Sequence, residues 1–249
     1  MTKSVFNTYS RYYDLLYRDK DYAAEVDYID RLLKRHGVKG SELLEFGSGT
    51  GKHGRLLAQR GYKVMGIERS ADMVTQAEQV DGFQCQVSDI STVQLGRTYD
   101  AVLSLFHVIS YQVSNEDVLA VFARAAEHLK SGGLFIFDVW YSPAVCTQHP
   151  SVRVKRLERD GIRITRIAEP VINTKENRVD VNYQIFAQDQ VSGTLDILSE
   201  SHPMRHFSLP ELDLLAQISG FERAGEEEFL TGKELSEETW GVCLILKKI

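Results

Sequence analysis

Hydrophobic positions along this chain recur with two different spacings, and the spacings alternate. In DYAAEVDYIDRLLKRHG, Val26, Ile29, Leu32 and Leu33 fall three and four apart, followed by basic residues and a glycine. That is the stripe and stop of an amphipathic helix, so residues 1–40 are predicted to be helical. The next hundred residues carry short runs that are apolar throughout: ELLEF (42–46), KVMGIE (63–68), FQCQV, YDAVLSLF and LFIFDVW (134–140). Helical stretches lie between them: GRLLAQRGY stopped by Gly61, SADMVTQAEQV opened by Ser70, and NEDVLAVFARAAEHLKSGG stopped by glycines. Strands apolar on both faces, alternating with helices, predict a parallel, doubly wound α/β sheet.

Past Tyr141 the pattern turns antiparallel. VRVKRLERDGIRITRI sets Asp160-Gly161 between two β-rich runs, a hairpin signal. NRVDVNYQIF puts Val179, Val181, Tyr183 and Ile185 on one face at period two, and TLDILSESHPMRHF continues in the same style. Residues 142–206 therefore read as an antiparallel β insertion within the same domain. SLPELDLLAQISG returns to helix, with Ser208 as cap and Pro210 in the first turn, and TWGVCLILKKI closes on an apolar strand.

Composition narrows the class. The chain has 249 residues, 43% hydrophobic and 26% charged, enough for one large globular domain. A net charge of −6 argues against a nucleic-acid partner. Cys85, Cys146 and Cys243 form no CxxC and read as thiols in a reducing cytoplasm. No histidine spacing suggests a metal. No apolar run approaches the ~18 residues of a membrane helix, and the opening MTKSVFNTYS lacks the core of a secretory signal. The expected setting is cytoplasmic, away from membranes.

The candidate chemistry starts at LLEFGSGTGKHG (43–54), a strand running into a glycine loop and a helix, a corner that binds anions or nucleosides. Two patterns overlap there. Gly49, Gly51 and Gly54 fit the dinucleotide spacing GxGxxG, the signature of an NAD-dependent oxidoreductase. Gly47, Gly49 and Gly51, preceded by Glu45, fit acid-x-G-x-G-x-G. A carboxylate at a strand end repels a pyrophosphate and suits a cationic ligand. S-adenosylmethionine carries a sulfonium and an amino group and no phosphate. Glu68, at the end of the second strand, suits a ribose diol, and Asp89, after the third, suits an adenine amine. A cofactor-binding module without catalysis is the third reading.

Taken in order, LLEFGSGTG, GIERSADMV, VSDI, YDAVLSLFHVISY and LKSGGLFIFDVW resemble the motifs of class I S-adenosylmethionine-dependent methyltransferases. The resemblance implies a Rossmann-like, mostly parallel seven-stranded sheet, with residues 41–141 and 207–249 as the core, while the helical lid over 1–40 and the insertion after the fifth strand follow from a narrower similarity. FERAGEEEFL and TWGVCLILKKI would supply its last two strands. It also implies that Glu45, Gly47, Ser48, Gly49, Gly51, Glu68, Arg69, Asp89, Ile90, Leu105 and Phe106 hold S-adenosylmethionine, with Tyr13 and Tyr22 closing over it. A narrower similarity joins YYDLLYRDKDYAAE, VDVNYQIF and ESHPMRHFS to the N,N-dimethyltransferases of nucleotide-linked amino sugars. That family tends to have SSIGH after the fourth strand, where this chain has HVISY (107–111), and VEPW where this chain has FDVW (137–140). His107 and Tyr111 are accordingly the candidate catalytic residues. Asp138, Trp140, Tyr17, His202 and Arg205 are the candidate acceptor-binding residues, for a small polar metabolite such as a nucleotide-linked sugar. A homodimer through the β insertion is a further expectation.

Overall fold

The computed structural model describes residues 10–159 and 161–249. The readings of the first nine residues and of Asp160 itself lie outside the described residues. In chain order the elements are α1 (Ser10–Leu16), α2 (Tyr22–Arg35), β1 (Glu42–Phe46), α3 (Lys52–Ala58), β2 (Lys63–Glu68), α4 (Ala71–Gln76), β3 (Phe83–Val87) and β4 (Tyr99–Ser104). A short 3-10 turn (Val108–Tyr111) follows, then α5 (Asn115–Glu127), β5 (Leu129–Tyr141), α6 (Ser142–Gln148), β6 (Arg153–Arg159) and β7 (Ile162–Asn173). The chain ends through β8 (Arg178–Asp189), β9 (Leu195–Phe207), α7 (Leu209–Ile218), β10 (Phe221–Glu228) and β11 (Gly241–Lys248).

The predicted doubly wound sheet is present, in the order β3-β2-β1-β4-β5-β11-β10. The first five strands run parallel, and β11 is antiparallel to both its neighbours. Alternation within the strands explains why helices cover both faces. Leu44, Phe46, Val102, Phe135 and Phe137 point into a core closed by α5 and α7. Leu43, Ala101, Leu103, Leu134 and Ile136 point the other way, onto α2 and α3. Val26, Ile29, Leu32 and Leu33 are the buried stripe of α2.

The inserted segment forms a four-stranded antiparallel sheet, β6-β7-β8-β9. Arg159 pairs with Ile162 across the two-residue turn. Val179, Val181, Ile185 and Ala187 are buried at period two, one half packing under Trp140 and Tyr111, the other against α1. The sheet is spliced to the core where Trp140 and Tyr141 at the tip of β5 pair in parallel with His206 and Phe207. Among the described residues the eleven strands are thus seven in the core and four inserted.

Three local differences from the sequence reading have simple causes. The insertion opens with α6, whose Pro143 sits in the first turn and whose Ala144 and Val145 bury. The glycine pair after α5 does not merely stop the helix. Leu129 already pairs with Tyr99, and a register shift absorbs Lys130–Gly133 before Leu134 pairs with Ala101. Helix α4 ends at Gln76, sooner than the apolar pattern suggests, because Ala77 leaves the helical region at ψ 106.

Candidate active site

A cavity of about 390 Å³ opens where the carboxyl ends of the parallel strands meet the inserted sheet. It sits at the switch point between β1 and β4, where the strand order reverses. The glycine loop forms its floor. Gly47 has φ +72°, and a Cβ there would lie 2.5 Å from a Val108 methyl, so only glycine lets the loop pass beneath the turn after β4. The loop is tied down by Gly47 and Ser48 N–H groups donating to the Ile67 carbonyl at 2.8 and 3.1 Å. Glu68 joins loop and helix. One carboxylate oxygen accepts Gly49 N–H at 3.0 Å, and the other accepts Ser70 N–H at 2.8 Å. Asp89 accepts Ser91 N–H at 2.8 Å and the Ser91 hydroxyl at 2.6 Å through one oxygen. Met73, Ile90 and Leu105 add an apolar slot between these acids, and Arg69 lines the same wall.

Glu45 lies outside the lining, which corrects its expected direct contact with the ligand. Position 45 shares the face of Leu43, so its side chain turns under the loop toward α2 and α3. There it is 1% exposed, with one oxygen 3.6 Å from His53 Nδ1 and the other without a hydrogen-bond partner. Burial, helped by the charge of Glu68, pushes its carboxyl up to about 8. His53 Nε2 lies 2.6 Å from Glu25, which also pairs with Lys20. Burial pushes His53 below its ordinary value. Burial raises Glu25, but His53 and Lys20 outweigh that and hold it below the usual carboxylate range. Gly51 is likewise outside the lining. It is the left-handed N-cap of α3, packed so that a Cβ would meet the Phe83 ring at 2.6 Å.

The turn after β4 forms the next wall. Phe106 and His107 both hold positive φ, 69° and 61°, an arrangement that costs roughly 1–3 kcal/mol at each non-glycine residue. The bend turns the His107 backbone N–H onto one buried carboxylate and brings the imidazole close to it. His107 N–H lies 3.2 Å and Nδ1 2.7 Å from Asp138 Oδ2. Asp138 is buried behind the wall and reaches the cavity only through His107, a correction to its expected contact with the acceptor. Burial raises Asp138, but the charge and hydrogen bonds of His107 outweigh it, leaving the carboxyl below its usual range. Trp140, at the tip of β5, packs edge-on to His107 at 6.2 Å and lines the cavity.

The inserted sheet supplies the roof: Val181, Tyr183, His202 and Met204. Tyr111 Oη is 3.0 Å from His202 Nδ1, and His202 Nε2 is 3.2 Å from Glu200. Tyr183 meets the His202 ring edge-on at 4.9 Å. Burial, reinforced by Tyr183, Tyr17 and Glu200, raises the Tyr111 hydroxyl well above its ordinary value. Tyr13, Tyr17 and Tyr22 close the remaining side. Tyr17 stacks edge-on against Phe106 at 5.1 Å, and Tyr22 against His53 at 4.9 Å. Arg205 is elsewhere, which corrects its expected contact with the acceptor. Its guanidinium donates to Glu211 at 2.6 Å and to Asn115 at 2.7 Å, locking β9 to the start of α7.

The comparisons with known proteins agree with one another. Residues 43–133 match the family described as a methyltransferase domain. The dTDP-3-amino-3,4,6-trideoxy-alpha-D-glucopyranose N,N-dimethyltransferase of Streptomyces venezuelae is 31% identical over 176 residues, covering 70% of this chain and 74% of that one. The chain is a class I S-adenosylmethionine-dependent methyltransferase. A dTDP-3-amino-3,6-dideoxy-alpha-D-glucopyranose N,N-dimethyltransferase from Streptomyces fradiae is 29% identical, covering 72% and 71%. The crystal structure of Streptomyces venezuelae DesVI superposes with a TM-score of 0.80 at 25% identity, over 97% of this chain and 98% of that one. The alternative of an NAD-dependent oxidoreductase finds no support.

The residues of this methyltransferase suit its cofactor, which supplies a methyl group on a cationic sulfur. Glu68 and Asp89 at neighbouring strand tips line the cavity and favour hydroxyl and amine donors over phosphate. Lining residues not anticipated as site residues include Lys52, His53, Met73, Gln112, Tyr183 and Met204. Tyr183 could have been found, since it shares the buried alternation of Val181 and Ile185. Met73 could have been found too, on the first turn of the helix capped by Ser70. Among the described residues no helix is long and apolar enough to cross a membrane, and no group of His, Cys, Asp or Glu could hold a metal ion.

Proposed function

We propose that this methyltransferase adds two methyl groups to the amino nitrogen of an amino sugar carried on a nucleoside diphosphate, from a donor seated on the glycine loop. The observation that carries the reading is the composition of the wall beyond that loop. Trp140, Tyr17, Tyr183 and Tyr111 present aromatic faces and hydroxyls, with His107 and His202 as the polar heads between them. Aromatic faces receive the C–H surfaces of a sugar ring, and buried hydroxyl and imidazole groups orient its polar substituents. The relatives named as acting on dTDP-linked amino sugars support the same substrate class. Methyl transfer from a sulfonium needs little activation of the leaving group, so the wall serves chiefly to align a neutral amine behind the methyl carbon. His107, fixed by Asp138, would orient the acceptor, and α1 with the start of α2 would close as the lid over both ligands.

The setting that goes with this reading is cytoplasmic, with no nucleic-acid partner. Valine and isoleucine exposed on the inserted sheet, at Val154, Val171 and Ile197, support pairing of two copies there. The decisive experiment offers dTDP-linked sugars bearing an amine at C3 or C4, with S-adenosylmethionine, and follows product mass. Sequential mono- and dimethylation of an amine, with the matching hydroxyl sugars untouched, is the expected result. Methylation of the hydroxyl sugars alone would overturn the reading.

A further inference from the structure

We propose that Tyr111, His202 and Glu200 form a proton relay that strips the acceptor amine for methylation. The proposal rests on the amino-sugar reading above. It starts from a substitution and a compensation. The resemblance places a histidine after the fourth strand, and this chain has Tyr111 there. The imidazole arrives instead from the inserted sheet, 91 residues away, as His202. The distances order the chain of donors. Glu200 accepts from His202 Nε2–H at 3.2 Å, which leaves Nδ1 to accept the Tyr111 hydroxyl proton at 3.0 Å. Tyr111 and His202 both line the cavity, whereas Glu200 stands behind them.

His202 is 2% exposed and is faced by Tyr111 from the turn after β4, Tyr183 from β8 and Glu200 from its own strand. Tyr111 in turn feels Tyr17 and Arg69. Burial of the phenol disfavours a standing phenolate, so Tyr111 passes a proton on rather than storing a charge.

An alkylamine arrives mostly as an ammonium at neutral pH and has no lone pair to attack with. As its N–H bond breaks, the proton joins Tyr111 Oη and the Tyr111 proton moves to His202 Nδ1. The positive charge ends on the imidazolium, opposite Glu200. The freed lone pair forms the N–C bond while the C–S bond breaks, its electron pair staying on sulfur. The imidazolium then releases its proton to solvent, and the same cycle serves the second methyl. Tyr111 is the group that touches substrate, and His202 and Glu200 are positioning residues.

The test uses the full chain with the amino-sugar substrate over pH 6.5 to 9.5. Tyr111→Phe should lower kcat about 100-fold at the acid end, within the usual range for proton transfer by a placed side chain. The loss should shrink as pH rises and the amine deprotonates unaided. Glu200→Gln should show a smaller loss, about tenfold, with the same pH trend, and Glu200→Asp should recover most of it. A Tyr111→Phe loss that is the same at every pH, or a kcat within threefold of the parent, would overturn the relay. A second readout is independent of turnover. In protein with ¹⁵N-labelled histidine, His202 should carry its proton on Nε2, with Nδ1 bare. The Nδ1–H tautomer would overturn the relay even with active enzyme. If the parent methylated no amine, the substrate reading would fall, and the tautomer would still decide the relay.

Discussion

Glu45 is a carboxyl group in a place where an ion is costly. With its pKa pushed up to about 8 by burial, it holds a proton in the folded chain that it would lose in the unfolded one at neutral pH. Between the ordinary carboxylate range and about 8 the folded state therefore binds more protons, and stability falls as pH rises through that window. Glu45→Gln mimics the protonated acid. It should leave the melting temperature nearly unchanged near pH 4.5 and raise it progressively toward pH 8.5, by roughly 2–4 °C for each kcal/mol recovered in a chain of this size. Calorimetry across that range checks the trend, and a variant that loses ground as pH rises would contradict it. Glu68 differs, because both its oxygens are already fixed by backbone N–H groups on the cavity side. Glu68→Ala should weaken S-adenosylhomocysteine binding by at least tenfold in titration calorimetry, since it removes an acceptor at the ligand and leaves Gly49 and Ser70 N–H groups without their partner.

Between elements, the contacts that matter are those local pattern does not encode. Period-two alternation in β8 and the stripe on α2 were legible because burial of one face is written into every second or third residue. The floor of the cavity was legible for a related reason: a glycine loop ending a strand leaves few geometries, and Gly47 has φ +72° as such a loop requires. The Tyr111–His202 contact was not legible, because it joins a turn to a strand that reaches it only through the β5–β9 splice. Arg205 was misassigned for the same reason. Its partner, Glu211, sits at the start of α7, where it also accepts Ser208 N–H at 3.4 Å. Arg205→Ala should cost about 3 kcal/mol, the cost of leaving one member of a largely buried ion pair alone. Denaturant unfolding would read that loss. Affinity for S-adenosylhomocysteine, measured on the folded fraction, should stay within twofold, whereas a phosphate-binding role would leave stability intact and raise the KM of a nucleotide-linked substrate.

At the scale of the molecule, one cavity spans two sheets built on different rules. The parallel core offers acids and backbone N–H groups at its strand tips, while the inserted sheet roofs the cavity and α1 packs against that sheet's buried face. A ligand seated on the glycine loop therefore bears on the core, on the turn after β4 and on the N-terminal tyrosines together, and its binding energy must appear as stability of the whole chain. At a concentration 100 times its dissociation constant a ligand adds about 2.7 kcal/mol to the folded state. For this chain length that corresponds to a rise of about 5–10 °C in melting temperature. S-adenosylmethionine and S-adenosylhomocysteine should both produce it. NADH should not, because the Glu68 and Asp89 carboxylates at the strand tips disfavour its pyrophosphate. A shift of equal size with NADH, or none with S-adenosylhomocysteine at millimolar concentration, would contradict the assignment of the floor. The shift should survive Tyr111→Phe and collapse in Glu68→Ala if the donor seats on the glycine loop, which Glu68 holds, while Tyr111 stands under the inserted sheet beside His202.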